Sequence, residues 1–186
     1  GAIVLSGSGN QTIGGSGIGI FGNLWLDKAS GNTTLIANSA VNGNIRLANT
    51  SAVLNIGSYN LALSSTSNVY DDLTGTGTNF SNTKMIQTSG LKSDGGVTIQ
   101  FAGTTPKLYP IGVAGKYTRA SLTFETAPSQ WGRATIRPVD GLHPLATSGN
   151  ALDYYWSVTS QGFVGIPANS IRLRLYYIPG DVNGNI

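Results

Sequence analysis

The 186 residues carry 11 Lys and Arg against 8 Asp and Glu, a net charge of +3, and only 10% are charged, against roughly 25% in an ordinary soluble domain. With no Lys/Arg run and no interleaving of basic and aromatic residues, the chain lacks the usual nucleic-acid footprint. Zero cysteines exclude a disulfide framework and a thiolate metal site, and no apolar run approaches the ~20 residues of a membrane-spanning helix.

Low charge alone could signal disorder, but 9% aromatic residues and many β-branched runs point instead to an ordered all-β protein. Helical periodicity is absent throughout. Residues 1 to about 20 hold short apolar pieces, Ala2-Ile3-Val4-Leu5 and Ile18-Gly19-Ile20, set between Gly and Ser. They read as one incomplete rung of a coil.

A repeat follows. Gly22-Asn23-Leu24-Trp25-Leu26 returns as Gly43-Asn44-Ile45-Arg46-Leu47 and, more loosely, as Tyr59-Asn60-Leu61-Ala62-Leu63. Alternate side chains of a strand face opposite ways. Leu24 and Leu26, Ile45 and Leu47, and Leu61 and Leu63 therefore face inward, and Trp25, Arg46 and Ala62 outward. Strands recurring after 21 and then 16 residues suggest a β-solenoid, whose rungs bury their apolar faces only by stacking. Asn23, Asn44 and Asn60 are expected to form an amide ladder at the ~4.8 Å rung spacing, and Trp25 to lie beside Arg46 in a cation–π contact. Thr34-Leu35-Ile36 and Val53-Leu54-Asn55-Ile56 supply secondary strands. Ser30-Gly31-Asn32, Asn42-Gly43 and Gly57-Ser58 supply corners where φ turns positive.

Residues 71–82 read as a loop or irregular rung, and 84–101 as a last rung or hairpin. Beyond them the strands lengthen and alternate cleanly. Ala120, Leu122 and Phe124 face in, as do Ile171, Leu173 and Leu175, while Arg172, Arg174 and Tyr176 face out. Several such strands between Gly/Pro turns predict an antiparallel β-sandwich. The expected fold is all-β, a short β-solenoid of β-helix-like rungs over residues 1–100 followed by a β-sandwich over residues 101–186. The sandwich would cap the open end of the solenoid, unless open ends serve to stack successive copies into a filament.

Tyr109-Pro110-Ile111-Gly112-Val113, Tyr117-Thr118, Leu122-Thr123 and Tyr155-Trp156-Ser157-Val158 occur in that order. The series resembles a module of large surface proteins of Bacteroidetes. There an aromatic-Pro-(Ile/Val)-Gly motif, a Tyr-x-Pro, a Leu-Thr and a Trp-x-(Val/Ile) follow Gly/Asn/Thr-rich solenoid rungs. Arg119 stands where that family carries Pro. The resemblance spans most of residues 11 to 165. It implies a repetitive, exported, extracellular protein of the bacterial cell surface, of the kind that leaves by the type IX route and includes giant adhesins used in attachment and gliding. The chain begins on Gly1, and we expect it to be a piece of a longer protein with its export signal elsewhere.

The residues offer little catalysis. His143 is the sole histidine, set between Leu142 and Pro144, and no Gly-x-Ser-x-Gly elbow is present. Gly14-Gly15-Ser16-Gly17 lacks the Lys-Ser/Thr of a phosphate loop. Asp71 and Asp72 are adjacent, so in a strand they would point apart, unlike paired glycosidase carboxylates. No rung carries the acid cluster that a solenoid polysaccharide lyase would need. Asp181, Asn183 and Asn185 match the start of a calcium loop; calcium is the one expected cofactor, set against a plain turn. Trp25, Arg46, Trp131, Tyr155 and Tyr176 are candidate ligand-binding residues by strand parity or loop position, with Trp156 assigned to the core. Arg133 with Arg137, and Arg172 with Arg174, share strand faces that suit either solvent or an anionic polymer.

The expected function is a non-enzymatic structural or adhesive module of a long exported surface protein. Its expected partners are neighbouring copies or modules of the same protein, and surface polysaccharide. The competing expectation is a carbohydrate-binding module using exposed aromatics, which would show two coplanar aromatic rings in a groove.

Overall fold

The structure, a computed structural model, describes residues 1–49, 52–146 and 149–184. It is a three-sided β-solenoid whose later strands turn antiparallel. The first coil is β1 (Ala2–Gly7), β2 (Gln11–Ile13) and β3 (Gly19–Phe21). The second is β4 (Asn23–Lys28), β5 (Thr33–Leu35) and β6 (Ser39–Val41). The third is β7 (Ile45–Leu47), β8 (Leu54–Gly57) and β9 (Asn60–Leu63), and the fourth β10 (Val69–Tyr70), β11 (Ile86–Thr88) and β12 (Gly96–Gln100). Strands at the same place in successive coils pair in parallel, giving three sheets. Leu24 lies over Ile45, Leu35 follows Ile13, and Leu63 follows Val41. These inward side chains form one core with Leu54, Ile86 and Val97.

The repeat holds, with one correction. Asn23 and Asn44 occupy the same corner of successive coils, where the Asn44 N–H donates to the Asn23 Oδ1 at 2.8 Å. The next member is Asn68, whose N–H donates to the Asn44 Oδ1 at 3.0 Å. Asn60 belongs to another sheet, where its N–H donates to the Asn38 Oδ1 at 2.9 Å. Asn32 does the same to Asn10 at 2.9 Å. Each corner thus carries its own Asn contacts, and the Asn60 copy looked equivalent because every coil repeats a strand of the same alternation three times.

Gly31 and Gly57 adopt the positive φ expected of corners. Gly43 does not; it is required for space, since a Cβ there would collide with the Gly22 carbonyl and the Asn23 amide. The inward alternation of β4 also places Lys28 inside, 2% exposed. Its ammonium donates to the Gly9 carbonyl at 2.6 Å and to Gln11 Oε1 at 2.9 Å, so the buried charge is solvated by the coil below.

The chain continues through β13 (Lys107–Tyr109), β14 (Ile111–Val113), β15 (Lys116–Tyr117), β16 (Ala120–Phe124) and β17 (Arg133–Asp140). After these come β18 (Ala151–Leu152), β19 (Tyr154–Gln161), β20 (Ile171–Leu175), a 3₁₀ turn at Pro179–Asp181 and β21 (Val182–Asn183). Two solenoid sheets run on past residue 100. β14 adds in parallel to β11, and β15 closes that sheet antiparallel. β17 and β19 add antiparallel beyond β12. A separate sheet, β13–β16–β20, packs on the core through Phe124, whose ring meets Phe101 edge-on at 5.3 Å.

That separate sheet is only half covered. Ala120, Leu122 and Phe124 are buried, but their partners Leu175, Leu173 and Ile171 on edge strand β20 remain 39–45% exposed. These three do not lie inside, because β20 has a neighbour on one side only and no described element packs over it.

Candidate functional site

A broad surface cleft lies on the outer face of the sheet that contains β9, β12, β17 and β19. Register alone builds it. Ala62 lies beside Thr98, Thr98 beside Thr135, and Thr135 beside Thr159. This row places a threonine on each of three adjacent strands, whose backbones run ~4.8 Å apart. The Thr98 and Thr135 hydroxyls are 2.7 Å apart, and the Asn60 amide donates to Thr98 Oγ1 at 2.8 Å.

Two arginines flank the row, because Arg133, Thr135 and Arg137 alternate outward along β17. The Arg133 Nε donates to Gln161 Oε1 at 3.0 Å across the β17–β19 pair. Arg137 donates from Nη1 to the Asp94 carbonyl at 2.6 Å and from Nη2 to Thr159 Oγ1 at 3.3 Å. Asn60, Thr98, Arg133, Thr135, Thr159 and Gln161 line a cleft of about 500 Å³. A shallower depression of about 250 Å³ adjoins it, sharing Arg133 and Gln161 and ending on Trp131. Among the described residues, no carboxylate lines either one.

Trp131 is therefore the one aromatic ligand candidate that reaches this groove. It is half-buried and meets Phe124 edge-on at 5.3 Å. Trp25 and Arg46 lie on another side of the solenoid, as cross-strand partners with the guanidinium 4.5 Å from the ring centroid. The loop after β10 covers Arg46, which donates to the Leu73 carbonyl. Tyr155 packs edge-on against His143 at 4.8 Å, and the Nδ1 of that histidine accepts from the Leu145 N–H at 3.1 Å, so both stabilise a loop. Tyr176 follows β20, with Arg119 4.5 Å from its ring centroid. Trp156 is half-buried and donates from its indole to the Thr118 carbonyl at 2.8 Å. Arg172 pairs with Glu125 at 3.0 Å on an exposed face.

Two of the three calcium candidates, Asp181 and Asn183, lie among the described residues. The Asp181 carboxylate accepts from the Tyr154 hydroxyl at 2.8 Å, and Asn183 pairs with Ala151 in a two-residue strand. Asn185 lies outside the described residues. Among the described residues, no group of three or more His, Asp or Glu side chains is placed to hold a metal.

Two electrostatic devices stabilise neighbouring loops. The Asp72 carboxyl is held down at about 2, first by the Thr74 hydroxyl and, against some burial, by the N–H groups of Gly75 and Thr76. The Lys116 ammonium sits 2.8 Å from both Asp140 and Asp153, which raises its pKa and ties the β14–β15 hairpin to β17 and to the approach to β19.

Sequence reasoning missed Asn60, Thr98, Thr135, Thr159 and Gln161 as site residues. Their outward parity was readable in each strand. The registers that align four strands into one row, two of those pairings being antiparallel, were not. Comparison with protein-family models, curated proteins and solved structures finds no match for this chain.

Proposed function

We propose that the chain is a non-enzymatic structural and adhesive module of a long, exported bacterial cell-surface protein. The observation that carries this reading is the stack itself. Two solenoid sheets run from the first coil into the antiparallel strands without a break, around a core that extends from Ile13 to Ile136. Force applied along such a stack is shared, at each step, by the hydrogen bonds between two adjacent coils, and each coil braces only its neighbours.

The surface-protein resemblance gains physical sense from where its motif residues fall. Tyr109 is fully buried and donates to the Ala134 carbonyl at 3.0 Å. The Pro110 carbonyl accepts from Ile86 at 2.8 Å, and Trp156 anchors on Thr118. These residues join the last coil to the antiparallel strands, so the motif series encodes the closure of the solenoid. At the other end, β1, β2 and β3 form an edge bearing Ile3, Val4, Ile18 and Ile20, each 48–69% exposed. That edge suits a neighbouring coil of another module or copy.

The test is antibody labelling and protease shaving of intact cells of the source bacterium, with force spectroscopy on the purified chain. Surface labelling and a high, single unfolding force are expected. A wholly intracellular signal, or unfolding at forces typical of helical bundles, would dispose of the reading. A carbohydrate-binding role is favoured by one observation, the polar groove that ends on Trp131. The two coplanar rings expected of aromatic stacking are absent from that groove among the described residues.

A further inference from the structure

We infer that the groove on the outer face of β9, β12, β17 and β19 binds an acidic polysaccharide, with Arg133 as the clamp for its anionic sugar units. The inference rests on the adhesive part of the reading above and is independent of the load-bearing part.

Charge selects the ligand class. Arg133 and Arg137 project from the same face of β17, four residues apart with Thr135 between them, and no acid among the described residues lines the groove. Arg133 is exposed. Its contacts with Gln161 use the Nε and one terminal nitrogen, which leaves guanidinium donors for a bidentate carboxylate or sulfate. Arg137 is the less available of the two, being held by Asp94 and Thr159, and serves as a second positive field at the rim.

Shape and polarity select a polymer over a free anion. The two depressions form one elongated groove that shares Arg133 and Gln161. Its floor carries threonines on three adjacent strands, with the Thr98 and Thr135 hydroxyls paired at 2.7 Å and Thr159 accepting from Arg137. Thr98, Thr135 and Thr159 can each donate or accept, as sugar hydroxyls demand. Trp131, half-buried, lines the far end. A neutral glycan held by stacking would need more aromatic surface than this, whereas a charged glycan held by Arg133 and the hydroxyl row does not.

The experiment is titration calorimetry on the intact chain with three probes of matched length: polygalacturonate, dextran sulfate and neutral dextran. Wild type, Arg133→Gln, Thr135→Val and, as a control on a distant face, Arg172→Gln are compared, each checked for folding by circular dichroism. Binding of polygalacturonate or dextran sulfate but not dextran is expected, with the better of the two identifying carboxylate or sulfate as the anionic group. Arg133→Gln should weaken binding by about tenfold or more, Thr135→Val by a few-fold, and Arg172→Gln hardly at all. Equal losses in Arg133→Gln and Arg172→Gln would overturn the site, leaving only attraction to net charge. Dextran binding as tight as the acidic probes would overturn the acidic class and leave the adhesive reading standing. No binding to any of the three would sink both.

Discussion

The backbone N–H of Asn44 donates to the side-chain Oδ1 of Asn23, one coil below, at 2.8 Å. The bond is partly buried, and the Asn44 carbonyl in turn accepts from the Leu24 N–H at 3.0 Å. Replacing Asn23 by Ala removes the acceptor and leaves an amide without a partner at a corner that water only partly reaches. The expected loss is about 1–2 kcal/mol. Asn23→Asp keeps an acceptor in place and should cost less than half as much. Urea unfolding checks both, through a lower midpoint at unchanged slope.

Trp25 and Arg46 should be energetically coupled by ~0.5–1 kcal/mol. A double-mutant cycle with Trp25→Leu and Arg46→Met isolates that figure. Arg46→Met alone should cost more than the coupling, because Arg46 also holds the Leu73 carbonyl of the covering loop. A coupling indistinguishable from zero would mean that the two side chains are adjacent without attracting one another.

Leu122 and Leu173 are cross-strand partners with unequal burial, 5% against 39% exposed. Leu122→Ala should cost about 2–4 kcal/mol, as core truncations do. Leu173→Ala should cost about 1 kcal/mol or less, since its side chain leaves less water behind on folding. Thermal melts of the two variants, side by side, test whether β20 is an open edge in solution. Equal losses would show that something covers it.

Stability should be flat between about pH 4 and pH 10 and fall on both sides, given the ordinary carboxyl and phenol values. On the acid side, folding lowers the Asp72 carboxyl from 3.8 to about 2. Its contribution is therefore present above pH 3.8 and lost as pH falls through about 2. On the alkaline side, burial raises the Tyr109 and Tyr154 phenols, and the two Asp partners raise Lys116. Those contributions are present below the unfolded-state values and lost as pH rises past them. Melting temperature measured from pH 2 to pH 11 should show the plateau, and Asp72→Asn should shrink the acid-side fall. An identical acid limb in wild type and Asp72→Asn would refute the role of Asp72.

The solenoid was legible because stacking forces each strand to repeat the same in–out alternation, and Leu24, Ile45 and Leu61 each display it. Which of three sheets a strand joins was not legible. That depends on corner geometry, and Asn60 opens a strand much as Asn23 does. The pairing of Trp25 with Arg46 was readable because both lie at the same distance from an aligned Asn. The groove was not, since its row of threonines crosses from parallel to antiparallel pairing between β12 and β17. Register there is set by the path of the chain from residue 101 to residue 132, which no local pattern encodes. The exposed side chains of β20 were misread for a related reason. Alternation reports which face a residue takes, not whether anything lies against that face.

The offset of 21 to 24 residues between stacked asparagines also has a consequence for descent. A stretch of gene encoding one whole coil can be duplicated or lost while the strands on either side still meet a parallel neighbour in the same sheet. Only one end tolerates this freely, since β15 and β19 terminate two of the sheets at the other. Lineages of this protein should therefore differ in whole coils gained or lost ahead of a constant closing segment, and the reach of the molecule should change in steps of ~4.8 Å.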